Sequence, residues 1–291
     1  MKGQLFVIAL LVAVAHAPAF ADAPRPVPEP VKKAPPPPRD NYPGLGNLDS
    51  FSTQDLGPNR KPSFAAPDHD RLARKLLSSD AAKECSDALA HAQWRQDIEH
   101  QLQSKAHFDN CAFDEATAYI AELLADVDGV MLGDGDARKR ALQAMTLIGQ
   151  ALHAVQDFYA HSDYVERIYA KGGGLADVPL PQVWTADGVV KVRAFVRDGL
   201  VSGCVWWDFP HDCADKVPTH AMLAKDDDQH YPSGKKILAR WENRTAYGAA
   251  HELADRASHR FLQYAWQHWP ALTATCGSVV AYPVLVDLRS P

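Results

Sequence analysis

Three side chains that can bind a metal ion recur at four-residue spacing in IGQALHAVQDFYAHSDYVER, residues 148–167. They are His153, Asp157 and His161. A helix has about 3.6 residues per turn, so each step of four overshoots a full turn by only ~40° and the three side chains line one strip. Imidazole nitrogen and carboxylate oxygen are both good zinc ligands. The spacing predicts a metal site, while a hydrogen bond between His153 and Asp157 on the helix surface is the simpler alternative.

Further candidate ligands occur in other segments of the chain. They are Asp97 in WRQDIEH, His107 in AHFDN, and His220 and Asp226 in THAMLAKDDDQHYP. Helical bundles build metal sites in their cores from His and acidic residues of several helices, so this distribution favours a shared site. His251 and Asp255 also have four-residue spacing, but the alanines beside them predict a tightly packed helix. We therefore prefer His220 and Asp226 as the downstream ligands.

Apolar periodicity indicates the helices that must position these residues. Helices are predicted in HDRLARKLL, DALAHAQWRQDIEHQLQ and FDEATAYIAELLADVDGV, then from Ala137 to Ala170 and from Arg240 to Gln267. Asp114 and Asp136 are candidate N-caps. The stretch GVVKVRAFV at 188–196 resembles a strand, and the tail SVVAYPVLV at 278–286 could add another. The predicted fold class is mostly α, a multi-helix bundle with an irregular, partly β insertion.

The first 67 residues contain two segments that precede the folded domain. Residues 1–21 carry the features of a cleaved signal peptide: Lys2, the apolar run Leu5–Ala15 and the small-x-small pattern AFA. The run is shorter than the ~20 residues that span a bilayer. Residues 22–67 form a proline-rich tether, and residues 68–291 form the helical domain. The sequence thus predicts an exported protein, periplasmic or secreted, with no transmembrane segment.

Export changes the expected chemistry of the five cysteines, because disulfides persist outside the cytoplasm. Cys204 and Cys213 bracket the loop VWWDFPHD, which a local disulfide could close. Cys85 and Cys111 could pair across two helices, which would leave Cys276 over, and buried thiols are the alternative. There is no CxxC motif, so a thiolate zinc site is disfavoured. The net charge of -6 disfavours binding of nucleic acid through a basic surface.

The segment LIGQALHAVQDFYAHSDYVER resembles the signature of the heterokaryon-incompatibility Het-C family, roughly LG-x-ALH-x-L-x-D-(F/Y)-x-AHSN-(Y/W)-x-E. The matching residues are Gly149, Ala151, Leu152, His153, Asp157, Phe158, Ala160, His161, Ser162, Tyr164 and Glu166. Asp163 stands where the family usually has Asn. WRQDIE at 94–99 is similar to the family's WRHGDIE, one residue shorter, and residues 220–226 resemble its His-x2-Leu-x-Lys-Asp element.

That family is similar to the zinc-dependent phospholipases C and the single-strand-specific zinc nucleases, which are all-helical enzymes with clustered metal ions. The resemblance implies two or three Zn²⁺ ions. It gives His107 as the upstream histidine, His153 and Asp157 as the helical pair with Asp157 bridging two ions, and His161 as the start of the next metal's ligand set. Asp97 is the best upstream carboxylate, as ligand or base. Relatives use an N-terminal Trp as a ligand; here either His69 substitutes or fewer metals bind.

The implied activity is that of an exported zinc-dependent phosphodiesterase, with Asp97 and Asp157 as catalytic residues. A phospholipase C acting peripherally on phospholipid at a membrane surface is the preferred expectation. Trp206 and Trp207 could enter the lipid interface or form a buried aromatic cluster. A secreted nuclease is less favoured because the chain lacks a basic, aromatic-lined stretch. A metal-stabilised envelope or interaction protein without turnover is the third alternative.

Overall fold

The computed structural model describes residues 66–78, 83–205 and 217–282, which are mostly helical and include one two-stranded sheet. The predicted mostly α fold class with a partly β insertion is confirmed. The helices are α1 (Ala66–Lys75), α2 (Lys83–Glu99), α3 (Ser104–His107), α4 (Phe113–Leu132), α5 (Ala137–His161), α6 (Tyr164–Lys171), α7 (Ala186–Arg197), α8 (His220–Leu223), α9 (Ala246–His268) and α10 (Ala271–Cys276). Strands β1 (Ile237–Leu238) and β2 (Arg244–Thr245) pair antiparallel, with Ile237 opposite Thr245, and a 3-10 turn at Ala239–Trp241 lies between them.

Helix α5 is the centre of the bundle, with α2, α4 and α9 packed around it. Asp136 caps its N-terminus by accepting a hydrogen bond from the backbone N–H of Lys139, as the sequence predicts. Every residue from 151 to 162 is buried. His153 and Asp157 therefore lie inside the protein, and the alternative of a surface pair was wrong. Buried polar groups need partners of their own, because leaving them unpaired is costly.

Close packing of α2 on α5 depends on Gly149. A Cβ atom at this position would lie 2.6 Å from the carbonyl oxygen of Leu89 and 2.7 Å from the Cβ of Ala92. Glycine inside a helix costs about 1 kcal/mol relative to alanine, but here it lets the two helices approach. The approach brings Asp97 of α2 to His153 of α5, with Oδ1 and Nε2 3.4 Å apart.

The single helix predicted from Ala137 to Ala170 is interrupted at Ser162 and Asp163, so that prediction was wrong at this point. Ser162 has extended backbone angles (φ -100°, ψ 163°). The loop before α8 pairs with the interruption, because the Asp163 N–H donates to the Val201 carbonyl at 3.0 Å. Hydrogen bonding to a remote loop thus replaces the helical hydrogen bonds that the local sequence pattern predicts here.

The stretch GVVKVRAFV, predicted as β-like, lies in helix α7. Thr185 caps this helix by accepting a hydrogen bond from the backbone N–H of Gly188. Gly188 also packs against the chain before the helix, because a Cβ there would lie 1.7 Å from the carbonyl oxygen of Gln182. The capping group and the close approach outweigh the weak helix propensity of the valines.

Two other boundaries differ from prediction. Helix α4 has Ala112 as its N-cap, and Asp114 lies inside its first turn. The last long helix begins at Ala246 rather than near Arg240, because the chain first makes a 3-10 turn followed by two residues with positive φ, Glu242 and Asn243. In the predicted tail strand, Val279 forms an isolated bridge with Leu77, and residues 283–286 lie outside the described chain.

Cys85 on α2 forms a disulfide with Cys276 at the end of α10. The proposed pairing of Cys85 with Cys111 was therefore wrong. The Cys111 thiol instead donates to the carbonyl oxygen of Ser202 at 3.6 Å. Cys213 and the two tryptophans at 206 and 207 lie outside the described residues, so the expectations about that loop stay predictions.

Among the residues with described structure, no helix combines the length and apolarity that crossing a bilayer requires. The predicted signal peptide at 1–21 and the tether as far as residue 65 lie outside that part of the chain. The disulfide between Cys85 and Cys276 is compatible with export, because such bonds persist in oxidising compartments.

Candidate metal centre

His and Asp side chains from five helices and two loops converge in two adjoining clusters. The proximal cluster comprises His69, Asp97, His107, His153 and Asp157, and the distal cluster comprises Asp109, His161, His220 and Asp226. Every site residue preferred from the sequence belongs to one of them. His69, which the sequence left open, lies in the proximal cluster, and Asp109 was not predicted.

Asp157 is the central residue of the proximal cluster, because both of its oxygens face imidazoles. Its Oδ2 lies 2.9 Å from His107 Nδ1 and 3.0 Å from His153 Nε2. Its Oδ1 lies 3.2 Å from His69 Nε2 and 4.0 Å from His161 Nε2. The carboxylate therefore connects the proximal cluster to the first histidine of the distal one, in the position that a bridging ligand needs.

His153 connects the two halves of the proximal cluster. One group of close ligand atoms contains His69, Asp97 and His153, and another contains His107, His153 and Asp157. His153 is common to both. The cluster therefore provides two overlapping sets of mixed nitrogen and oxygen ligands around one fully buried histidine.

In the distal cluster, the carboxylates of Asp226 and Asp109 lie on opposite sides of the two imidazoles. Asp226 faces the Nε2 atoms, with Oδ1 3.2 Å from His161 and Oδ2 3.5 Å from His220. Asp109 faces the Nδ1 atoms, at 2.8 Å from His220 and 3.7 Å from His161. Asp109, His161 and His220 each offer one atom close enough to the others to hold a metal ion. Asp226 lies beside the Nε2 atoms of the same two histidines, and Asp109 also has the position of a carboxylate that orients a ligating histidine through Nδ1.

Hydrogen bonds behind His69 fix which of its nitrogens faces the cluster. Its Nδ1 lies 2.5 Å from Gln156 Oε1. The Gln156 amide nitrogen donates to Ser258 Oγ at 2.9 Å, and the Ser258 hydroxyl donates to the Ala254 carbonyl. In this series of hydrogen bonds Gln156 Oε1 is an acceptor, so Nδ1 of His69 carries the hydrogen. Nε2 of a neutral His69 then presents a lone pair to Asp157.

His161 is oriented in the same way by the backbone. Its Nδ1 donates to the carbonyl oxygen of His107 at 2.9 Å, which leaves Nε2 facing Asp226. Two acceptor groups, an imidazole lone pair and a carboxylate, then face each other at 3.2 Å. Such a pair needs a cation between its members, either a proton or a metal ion.

Burial and the charges of the carboxylates shift the pKa values of the imidazoles in opposite directions. Burial opposes protonation of His69, but the hydrogen bond and charge of Asp157 raise its pKa to about 9. Burial likewise opposes protonation of His220, but the charge of Asp109 raises its pKa to about 9. Burial dominates at His153 and lowers its pKa. A metal ion must displace protons from His69 and His220, because ligating imidazole is neutral.

Asp157 is ionised despite its burial. Burial alone would raise its pKa, but the charges of His153 and His161 and a hydrogen bond from His107 hold the pKa well below the usual range. Burial would also raise the pKa of Asp226, yet His161 and His220 lower it. The two carboxylates thus carry negative charge in the interior, as metal ligands must.

Several carboxylate oxygens in the clusters lack a hydrogen-bond partner among the described residues. These buried atoms are Asp97 Oδ2, Asp157 Oδ1 and Asp226 Oδ1. Buried polar atoms are nearly always satisfied, so each unpaired oxygen requires an explanation. A metal ion satisfies them together with the imidazole lone pairs. The residues present therefore fit a metal ion, with no thiolate in the set and with donors suited to zinc.

The clusters are open to solvent at two points. The Asp97 side chain is 30% exposed and that of His220 is 22% exposed, while the other members are nearly buried. Asp97 lies in the proximal cluster and His220 in the distal one. The edge of each cluster is therefore accessible from solvent, while the centre around Asp157 is shielded.

Asp109 was missed because the backbone that places it is irregular. The turn after α3 contains three residues with positive φ, Phe108, Asn110 and Cys111. Asn110 fixes the turn, accepting a hydrogen bond from the Val205 N–H at 2.7 Å. The sequence offered one signal, His107-x-Asp109 in the AHFDN segment, but nothing local indicated that the carboxylate would reach His220.

Gly203 positions His220 from the opposite side. A Cβ at Gly203 would lie 2.5 Å from the Cα of His220. The Gly203 N–H donates to the His161 carbonyl at 3.0 Å, and its carbonyl accepts from the Asn110 N–H at 2.9 Å. One glycine therefore links the end of α5, the turn that carries Asp109 and the helix that carries His220.

His251 and Asp255, the less favoured downstream pair, do not belong to either cluster. His251 Nε2 lies 3.0 Å from the Arg71 guanidinium. Burial and the positive charges of Arg71 and Lys75 lower its pKa to about 4. Asp255 lies 3.7 Å from His259. A cationic neighbourhood of this kind disfavours a metal ion.

Comparison with known proteins gives one similarity. Residues 72–171 match the family model of the VWA7 N-terminal domain. The matched segment runs from α1 to the end of α6 and includes Asp97, His107, Asp109 and the three ligand candidates of α5, but not His69, His220 or Asp226. No curated protein and no solved structure matches the chain. About a third of the protein is thus similar to a known domain, and that third contains the central part of the candidate metal centre.

Proposed function

We propose that this chain is an exported zinc-dependent phosphodiesterase, most similar in activity to a phospholipase C. The observation that carries the proposal is the pair of adjoining clusters, in which the Asp157 carboxylate reaches histidines of both. Clusters of metal ions about one bridging ligand serve the hydrolysis of phosphate esters. The motif resemblance to the Het-C family and the zinc phospholipases supports the same reaction class.

Two or three Zn²⁺ ions would be held by the residues of the two clusters. His69, His107, His153 and Asp157 supply proximal ligands, and His161, His220 and Asp226 supply distal ones. When bound, the metal ions lower the pKa of water and stabilise negative charge on phosphate oxygens. Asp97 lies at the opening with one oxygen 3.4 Å from His153, so it can act as a ligand or accept a proton from water. Asp157 keeps the ligands of both clusters in fixed relation.

Exposed apolar side chains near the opening favour a lipid over a nucleic acid. Trp94 and Ile98, on the same helix as Asp97, are 37% and 45% exposed. Met222, two residues after His220, is also exposed. Apolar side chains of this kind suit the interfacial layer of a membrane. The net charge of -6 gives no general attraction for a polyanion.

The first test combines metal content with activity. We expect elemental analysis of the purified protein to give two or three zinc ions per chain, and phosphate-ester release from phosphatidylcholine vesicles to stop after chelation and return with zinc. His153→Ala should lose both metal and activity, because its imidazole belongs to both proximal ligand groups. His268→Ala, at a half-exposed histidine of α9 that contacts Asp128 and belongs to neither cluster, is the matched control.

Each alternative has its own outcome in this test. Hydrolysis of single-stranded DNA without hydrolysis of phospholipid vesicles would indicate a nuclease instead of a phospholipase C. Bound zinc without turnover on lipid, DNA or a soluble phosphodiester would indicate a metal-stabilised envelope or interaction protein. A protein without metal would refute the proposal.

A second test concerns the apolar rim formed by Trp94 and Ile98. The double variant Trp94→Ser/Ile98→Ser should lower the ratio of vesicle hydrolysis to hydrolysis of a soluble phosphodiester. The ratio should fall because the variant lacks apolar surface that would enter the lipid, and each Å² of such surface contributes about 25 cal/mol to the binding free energy. Val190→Ser on α7, also exposed and apolar, serves as the control. An unchanged ratio in the double variant would argue against the rim as a lipid contact.

A further inference from the structure

Lys225 is a fully buried lysine, and its side-chain contacts among the described residues include no member of the two clusters. Its Nζ donates to the carbonyl oxygen of Ser162 at 2.7 Å and to that of Leu223 at 3.1 Å. Glu166 Oε2 lies 3.4 Å away. Lysine is rarely buried without such partners. The complete enclosure of this ammonium group therefore requires a structural or functional reason.

The contacts of Lys225 join two of the three segments that carry the distal cluster, the end of α5 and the segment from His220 to Asp226. Ser162 is the C-cap of α5, one residue after His161, and Leu223 ends the helix that begins at His220. Lys225 itself precedes Asp226. Its backbone N–H also donates to the carbonyl oxygen of Ala160 at 3.0 Å. One residue thus connects the chain on both sides of the cluster through main-chain and side-chain bonds.

The position is electrostatically suited to an ammonium group. The carbonyl groups at a helix C-terminus lack partners within the helix and carry partial negative charge, which a cation stabilises. Glu166, on the first turn of α6, adds a full negative charge. An apolar side chain of the same length would leave the Ser162 carbonyl and the Glu166 carboxylate without this partner in the interior.

We propose that Lys225 is a positioning residue that assembles the distal metal centre by fastening the Asp226 loop to the end of α5. The inference rests on the proposed metal-dependent function, and it adds a requirement that the ligands alone do not supply. Without the ammonium group, Asp226 loses its fixed place relative to His161, and their 3.2 Å contact is no longer enforced. The proximal cluster has no contact with Lys225 among the described residues and should retain its metal.

The test measures zinc and cobalt(II) affinities by chelator competition in the full mature chain. His220→Ala should eliminate the distal site. Lys225→Met should lower the metal affinity of that same site by about 10- to 100-fold, the usual effect of losing a residue that orients ligands. The site that depends on His153 should keep its affinity, and the cobalt spectrum should lose only the distal contribution. Adding Lys225→Met to His220→Ala should give no further loss, because both changes act on one site.

Lys83→Met controls for the loss of a lysine, since Lys83 is exposed on α2 and far along the chain from the cluster. If Lys225→Met does not fold, Lys225→Met/Glu166→Leu removes both members of the ion pair and takes its place in the same measurement. Unchanged distal affinity, or equal weakening of both sites in a folded variant, would overturn the role of Lys225. A wild-type protein without a His220-dependent metal site would refute the proposed function itself.

Discussion

Asp157→Asn should abolish tight metal binding in both clusters and, with it, hydrolysis. The carboxylate contacts His107 and His153 through one oxygen and faces His69 and His161 with the other. An amide has one oxygen acceptor, and its NH₂ group would point at an imidazole lone pair. The loss should exceed the roughly 10- to 100-fold in affinity that follows from changing an orienting residue.

The effect of Asp157→Asn can be measured without any activity assay. At free zinc 100 times its Kd, the wild-type protein should gain about 2.7 kcal/mol in unfolding free energy, since metal that binds only the folded state stabilises it. The variant should gain almost nothing, and elemental analysis should find little zinc. Asp114→Asn, at an exposed acid on α4 that pairs with Arg193, should behave as wild type. Full zinc content in Asp157→Asn would contradict the central role of this residue.

Removal of the disulfide between Cys85 and Cys276 should cause the largest loss of stability by a change outside the clusters. The bond spans 191 residues, and the chain-entropy relation gives about 5 kcal/mol for a loop of this size, at the upper end of measured effects. For a domain of this size, each kcal/mol lowers Tm by roughly 2–4 °C. We therefore expect Cys85→Ala/Cys276→Ala to unfold at least ~10 °C below the wild-type protein.

The single variants provide the control for the disulfide prediction. Cys85→Ala, Cys276→Ala and the double variant should have closely similar stability, because each removes the same bond. Guanidinium unfolding of the three variants, with metal content held constant, makes the comparison. A double variant as stable as the wild-type protein would show that the bond adds little to the bundle.

The regular part of the fold was predictable because its information is local. The apolar stripe of α4, the Asp136 cap of α5 and the overall helical content follow from periodicity and capping. One error occurs where a remote segment competes with local preference, and another where a local N-cap outweighs the β propensity of the valines. Helix α5 ends at His161 because the loop at 201–203 pairs with the interruption, and α7 is helical because Thr185 caps it.

The residues of the candidate site also divide into those that the sequence predicts and those that it does not. The four-residue spacing on α5 identified His153, Asp157 and His161, since helix geometry alone places them on one strip. Asp109 and His69 gave no comparable signal. Asp109 depends on a turn with three positive φ angles, and His69 depends on the orientation set by Gln156 and Ser258.

By itself, the sequence determined the helical class, the ligand-bearing strip of the central helix and the kinds of atoms that could bind a metal. Only the tertiary structure decided that His220 and Asp226, rather than His251 and Asp255, face that strip. It also decided that Cys85 pairs with Cys276. The physical reason is that these choices depend on contacts between residues far apart in sequence, where burial makes each unpaired charge costly and the whole bundle must satisfy them together.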